Sequence, residues 1–154
     1  MPNPTAPTDL SGYAQKGANT DITSLLGLTG DVANTAWTDY GATSTVVGWA
    51  ATPTKNIYYK KVGKLVFVSF YITGTSDATT VSFTLPITSA ASTGVAFGGA
   101  MIYVVDNNTE ILTACKVSLA ANASTVNCHT NFGFGVWTNT SAKTVYGQFW
   151  YEAA

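Results

Sequence analysis

Hydrophobic and polar positions are distributed very differently in the two parts of this 154-residue chain. Residues 45–154 read as strands, near 45–51, 56–62, 64–73, 79–85, 94–106, 109–119, 123–131, 133–138 and 143–151. Turn-forming stretches at 74–77, 85–86, 106–108 and 138–141 punctuate them at the spacing of a sandwich or barrel. Residues 1–44 alternate little. Pro2, Pro4 and Pro7 extend the backbone. Thr20 or Asp21 can cap one or two helical turns that carry Ile22, Leu25 and Leu26 and end at Gly27. With Leu10, Tyr13 and Leu28, these side chains are too few to fold alone and too many to leave in water. The pattern predicts an extended N-terminal arm, 1–44, that docks on another protein or between subunits.

Two strand features carry the most information. The first is a hairpin register. If Ala121 and Asn122 form the loop between strands 109–119 and 123–131, Leu119 faces Ser124, Val117 faces Val126 and Cys115 faces Cys128. Ile111, Thr113, Cys115, Val117 and Leu119 then share a face with Val126 and Cys128, and the other face is polar. The second is a lack of alternation. In 64–72, Leu65, Phe67, Ser69 and Tyr71 oppose Val66, Val68, Phe70 and Ile72, and 101–105 and 145–151 are apolar on both sides as well. An isolated antiparallel sheet keeps one wet face. No sequence is left for a covering helix layer, so the second face is expected to lie against another chain. Val66, Val68, Phe70, Ile72, Tyr103 and Trp150 are the expected contacts.

Composition sharpens this picture. Hydrophobic residues make up 46% of the chain, and only 10% is charged, against about 25% in typical domains. The 25 threonines and abundant aromatics favour a pleated, half-buried surface. There is no Arg, and the net charge is −1, so nucleic acid is not an expected partner. No apolar run is long enough to cross a membrane. Residues 1–4 (MPNP) lack the basic start and apolar stretch of a secretory signal, so synthesis in a cytoplasm is the expectation.

Candidate chemistry is sparse. His129 is the single imidazole, which leaves triad chemistry without support. It reads as a surface strand residue, or as one third of a metal site on a symmetry axis. Cys115 and Cys128 are short of a structural zinc set. They read as a buried, reduced cross-strand pair, with a disulfide as the alternative. Asp77 and Asp106 fall in turns. Trp137, just before Asn139, reads as a rim aromatic for stacking on a sugar, with Asn139, Asn107 and Asn108 as further candidate contacts. No cofactor is expected.

Two stretches resemble known sequences. GANTDITSLLGLT, at 17–29, is similar to a segment that recurs in tail-fibre proteins of tailed bacteriophages. YKKVGKLVFVSFYITGTS at 59–76, FTLP at 83–86 and VYGQFWY at 145–151 resemble the β-sandwich knob that ends many such fibres. The resemblance implies an all-β, antiparallel jelly-roll-type sandwich over 45–154 and a homotrimer around a threefold axis. It also implies a non-enzymatic structural role at the virion surface after synthesis in the host cytoplasm. Two uses remain open: attachment to a host surface glycan or protein, or decoration of the capsid as a trimeric cement or head-fibre protein. In either case Leu10, Tyr13, Ile22, Leu25, Leu26 and Leu28 would anchor the arm to other virion proteins.

Overall fold

Alternating β-branched and aromatic residues build the longest strands. In Leu65–Thr75, Val66, Val68, Phe70 and Ile72 are buried while Leu65, Phe67 and Tyr71 stay exposed. The computed structural model describes residues 36–91, 97–98 and 101–154, and all that follows concerns them. The chain is all-β, with no helix among the described residues. Its strands are β1 (Thr38–Asp39), β2 (Val46–Val47), β3 (Thr54–Val62), β4 (Leu65–Thr75), β5 (Val81–Thr84), β6 (Phe97–Gly98), β7 (Met101–Asp106), β8 (Thr109–Glu110), β9 (Cys115–Ser118), β10 (Thr125–His129) and β11 (Ala142–Glu152).

All pairings are antiparallel, in the order β1-β3-β4-β11-β7-β9-β10-β5-β2, with β6 on β11 and β8 on β7. β4 and β5 are five ladder steps apart, a distance of about 24 Å in a flat sheet at roughly 4.8 Å per step. Yet the rings of Phe70 on β4 and Phe83 on β5 are 5.0 Å apart. The sheet is therefore curled into a half-barrel, and the core fills the inside of the curl. Phe149 joins that contact, 6.0 Å from Phe70 and 6.3 Å from Phe83. Strands β1 and β2 are neighbours in sequence but stand at opposite ends of the ladder, so the segment 40–45 spans the gap. There the Tyr40 hydroxyl donates to the Leu85 carbonyl and shares a hydrogen bond with Thr84 Oγ1, each at 3.0 Å.

Several expectations change. The strands follow one hydrogen-bonded path, so the sequence reading holds as all-β and antiparallel. Residues 133–138 are a loop, because their backbone pairs with no single strand: Thr130 Oγ1 donates to Val136 O, Gly135 N to Asn131 Oδ1, Trp137 N to Thr79 O and Thr138 N to Asp106 Oδ2. The compact unit runs Thr35–Ala154 and takes in Trp37–Ser44, which the pattern assigns to the arm. Leu10, Tyr13, Ile22, Leu25, Leu26 and Leu28 lie outside the described residues.

The β9–β10 register differs by two residues. Cys128 pairs with Val117 and Asn127 with Ser118, so Cys115 and Cys128 are not opposed. Cys115 Sγ instead donates to Thr130 O at 3.1 Å. The cause is tertiary: Ala123 accepts from Ser89 N and donates to Ser89 Oγ, while Asn122 N donates to Ala90 O. This draws both residues into the loop. An even shift preserves facing, so Cys115, Val117, Val126 and Cys128 all remain buried, with both thiols free.

Candidate functional site

The outer face of β3, β4, β11 and β7 is organised in cross-strand rows. Val62 and Leu65 close the β3–β4 hairpin, with Gly63 in the left-handed region at φ +59°. From that turn the register follows. One row is Asn56, Tyr71, Tyr146, Tyr103; the next is Tyr58, Ser69, Gln148; then Lys60, Phe67, Trp150; then Val62, Leu65, Glu152. Tyr103 stacks on Tyr146 at 4.5 Å between ring centroids, and Tyr71 lies 6.1 Å from Tyr146. Desolvation, and then the Glu110 carboxylate, push the Tyr103 phenol above its ordinary value.

The rows divide the face into two zones. Toward the β3–β4 turn it is mainly apolar, with Leu65, Phe67 and Val62 exposed and Trp150 half-buried, flanked by Lys60 on β3 and by Glu152 on β11, whose carboxylate lies 3.9 Å from Lys64 Nζ. Beyond it lies an open groove of about 430 Å³ walled by Asn56, Tyr58, Ser69, Tyr71, Tyr146 and Gln148. The groove continues as a space of about 360 Å³ between Trp37, Tyr58, Ser69 and Gln148. Trp37 stands over this part from just before β1, which pairs with β3 through Thr38 and Tyr59.

The residues singled out from sequence distribute as follows. Val66, Val68, Phe70 and Ile72 are spent in the chain's own core, which corrects their assignment to a subunit contact. Side chains already out of water gain nothing from a partner. Tyr103 and Trp150 do lie on the outer face. Trp137 is 2% exposed, which corrects the rim-aromatic reading. Its Nε1 donates to Cys128 O at 2.8 Å, and Lys143 Nζ sits 5.2 Å from its ring. Asn107, Asn108 and Asn139 are exposed and share one end of the sheet, where Thr140 Oγ1 donates to Asn107 Oδ1 at 3.3 Å. Asn107 and Asn108, at φ +52° and +60°, form the tight β7–β8 turn.

The same end holds a buried ammonium that the sequence reading passed over. Lys143 falls on the inward parity of β11 with Val145, Phe149 and Tyr151, and its Nζ donates to Ala78 O at 2.7 Å and Gly48 O at 3.2 Å. Burial pulls its pKa down, and Asp106 and Asp77 oppose the shift. Residue 48 itself requires glycine: at φ +110° a Cβ there would lie 2.4 Å from Thr80 O.

His129 Nε2 and Ser118 Oγ are 2.7 Å apart across β9–β10. Burial, and then the Lys116 charge, lower the imidazole's pKa. Among the described residues no carboxylate contacts the other ring nitrogen, and no three His, Cys, Asp or Glu side chains gather to hold a metal. The pair reads as a polar cross-strand contact. Nearby, Phe134 lies with its ring edge-on to His129 at 5.0 Å and beneath Lys116 Nζ at 3.5 Å. No described helix is long and apolar enough to cross a membrane.

No protein-family model, curated protein or solved structure matches this chain.

Proposed function

We propose that this chain is a non-enzymatic structural protein of a tailed-bacteriophage virion, a homotrimeric knob at the particle surface that serves host attachment. In this reading the two halves of the curled sheet are the two layers of a jelly-roll-type knob, and the arm carrying Leu10, Tyr13, Ile22, Leu25, Leu26 and Leu28 grips other virion proteins. The observation that carries it is the apolar zone of the outer face. Strand β4 buries one face in its own core and still presents Leu65 and Phe67 to water, beside Val62 and Trp150. Burying each such side chain against a neighbour contributes about 1.5–3 kcal/mol, and contiguous exposed apolar patches mark interaction sites. The subunit contact therefore moves from the inward residues of β4 to its outward ones.

Sedimentation velocity at micromolar concentration tests this. The wild type should run as three 16.1 kDa chains, and Phe67→Lys or Leu65→Lys should release monomer without unfolding it. A wild-type monomer at that concentration defeats the proposal.

A further inference from the structure

We infer that the tyrosine groove beside the apolar zone is a binding site for an uncharged oligosaccharide. This rests on the reading of the chain as an attachment knob and names the ligand it attaches to.

The wall chemistry selects the ligand class. Asn56, Tyr58, Ser69, Tyr71, Tyr146 and Gln148 offer three phenol rings, two amides and a hydroxyl, with no ionised side chain among them. Flat C–H faces of a pyranose stack on aromatic rings, and its vicinal hydroxyls need partners that both donate and accept. Asn and Gln amides and Ser and Tyr hydroxyls do both. An acidic ligand would lose its hydration here without a counter-charge. A wholly apolar ligand would leave the amides and phenols unpaired. Charged groups stand at the groove's margins: Lys60 in the next row, Glu110 beside Tyr103, and Asp39, the cross-strand partner of Tyr58, whose carboxylate accepts from Gly41 N at 2.8 Å.

The spacing selects an oligomer. Tyr71 and Tyr146 stand on adjacent strands with ring centroids 6.1 Å apart, a step comparable to the width of one sugar ring. Tyr103, stacked on Tyr146 at 4.5 Å, backs that ring rather than adding a platform. The line of rings runs across the strands, with Trp37 over the adjoining space. The walls also stand on paired strands, where β11 matches β4 over eleven consecutive residues. A site built on rigid elements loses little ordering entropy when it binds.

A second copy of the chain is the competing occupant, and the division of the face argues against it. The aliphatic side chains and the Phe67 ring that association favours are grouped toward the β3–β4 turn, while the groove is walled by tyrosines, amides and a serine.

The test uses the whole chain and titrates it with maltohexaose, cellohexaose and N-acetylglucosamine hexamer, and with tetragalacturonate as the acidic comparison, following Trp and Tyr fluorescence and calorimetric heat. At least one neutral hexamer should bind, with an affinity unchanged between low and high salt. Tyr146→Ala and Tyr71→Ala, both at exposed positions, should each weaken it about tenfold, the loss expected for one stacking ring, without altering sedimentation. Gln148→Leu should weaken binding while leaving the rings in place. Three results overturn the inference: no neutral hexamer binding at 10 mM, salt-sensitive binding of the acidic probe alone, or burial of Tyr71 and Tyr146 on trimerisation, seen as lost sugar-independent quenching by acrylamide. Failure of the trimer shows in sedimentation of the wild type, so the two failures are distinguishable.

Discussion

Replacing Phe83 by Ala tests whether the sheet curls. Phe83 is 1% exposed and belongs to β5, whose ladder partners are β10 and β2. Its ring nevertheless touches Phe70 at 5.0 Å and lies 6.3 Å from Phe149, both on strands it never hydrogen-bonds. The substitution removes the transfer energy of a buried ring and leaves a cavity, a combined cost of about 3–5 kcal/mol. The compact unit holds residues 35–154; at roughly 2.1 cal/mol/K per residue its unfolding entropy is about 0.25 kcal/mol/K, so Tm should fall by about 12–20 °C. Denaturant unfolding at fixed protein concentration should show the midpoint falling with the slope unchanged. Phe132→Ala, at an exposed loop position, should stay within about 0.5 kcal/mol. A cost for Phe83→Ala below about 1 kcal/mol would refute the packing of β5 on β4 and β11, and with it the half-barrel.

Three further outcomes are expected. Both His129 and Lys143 have pKa values below their ordinary 6.5 and 10.5, so the unfolded chain binds more protons than the folded one between each lowered value and its ordinary value. Stability should therefore rise with pH through each window; His129→Gln should flatten the rise below pH 6.5 and Lys143→Met the rise below 10.5, measured by urea unfolding at several pH values. Burial raises the thiol pKa of both Cys115 and Cys128, and their strands do not oppose them. A thiol reagent should consume neither until the protein unfolds, and mild oxidation should form no intrachain disulfide; a bridge detected by mass spectrometry refutes the register. Asp106 accepts from Thr138 N and Oγ1, each at 2.9 Å. Asp106→Ala should cost roughly 1–3 kcal/mol for the donors left behind, and an unchanged midpoint would show that the contact holds nothing.

Period-2 patterning made much of the sheet legible. It places Ile57, Val66, Val68, Phe70, Ile72, Val145, Phe149 and Tyr151 on consistent faces, and it would have placed Lys143 inward had parity been applied to a charged residue. The outer rows were legible too. Closing a hairpin at Gly63 and Lys64 fixes Tyr58 beside Ser69 and Asn56 beside Tyr71 by arithmetic. The doubly apolar strands were visible, but alternation alone does not say which face is core, and Val66 through Ile72 were assigned to the wrong partner. What lay beyond reach depends on contacts distant in sequence. The two-residue shift at β9–β10 comes from Ser89 and Ala90 holding the hairpin loop. The inward turn of Trp137 comes from a carbonyl nine residues earlier and a Lys six residues later. Residues 133–138 carry apolar side chains at alternate positions, yet their backbone groups bond to scattered partners, Asn131, Thr79 and Asp106 among them, rather than to one neighbouring strand.

The place of β11 in the ladder also governs when the protein can form during synthesis. This strand is the last in the sequence, yet it lies between β4, with which it shares its longest pairing, and β7. Until residues 142–152 clear the ribosome, the β3–β4 hairpin has no partner on its inner edge, and the run β7-β9-β10-β5-β2, which can pair within itself, has no strand to join it to that hairpin. From Thr75 until Ala142 the nascent chain thus carries one edge of β4 open and prone to joining other chains. A stop codon between residues 130 and 141 would leave the two half-sheets with no strand to join them, and such fragments should aggregate more readily than the full chain.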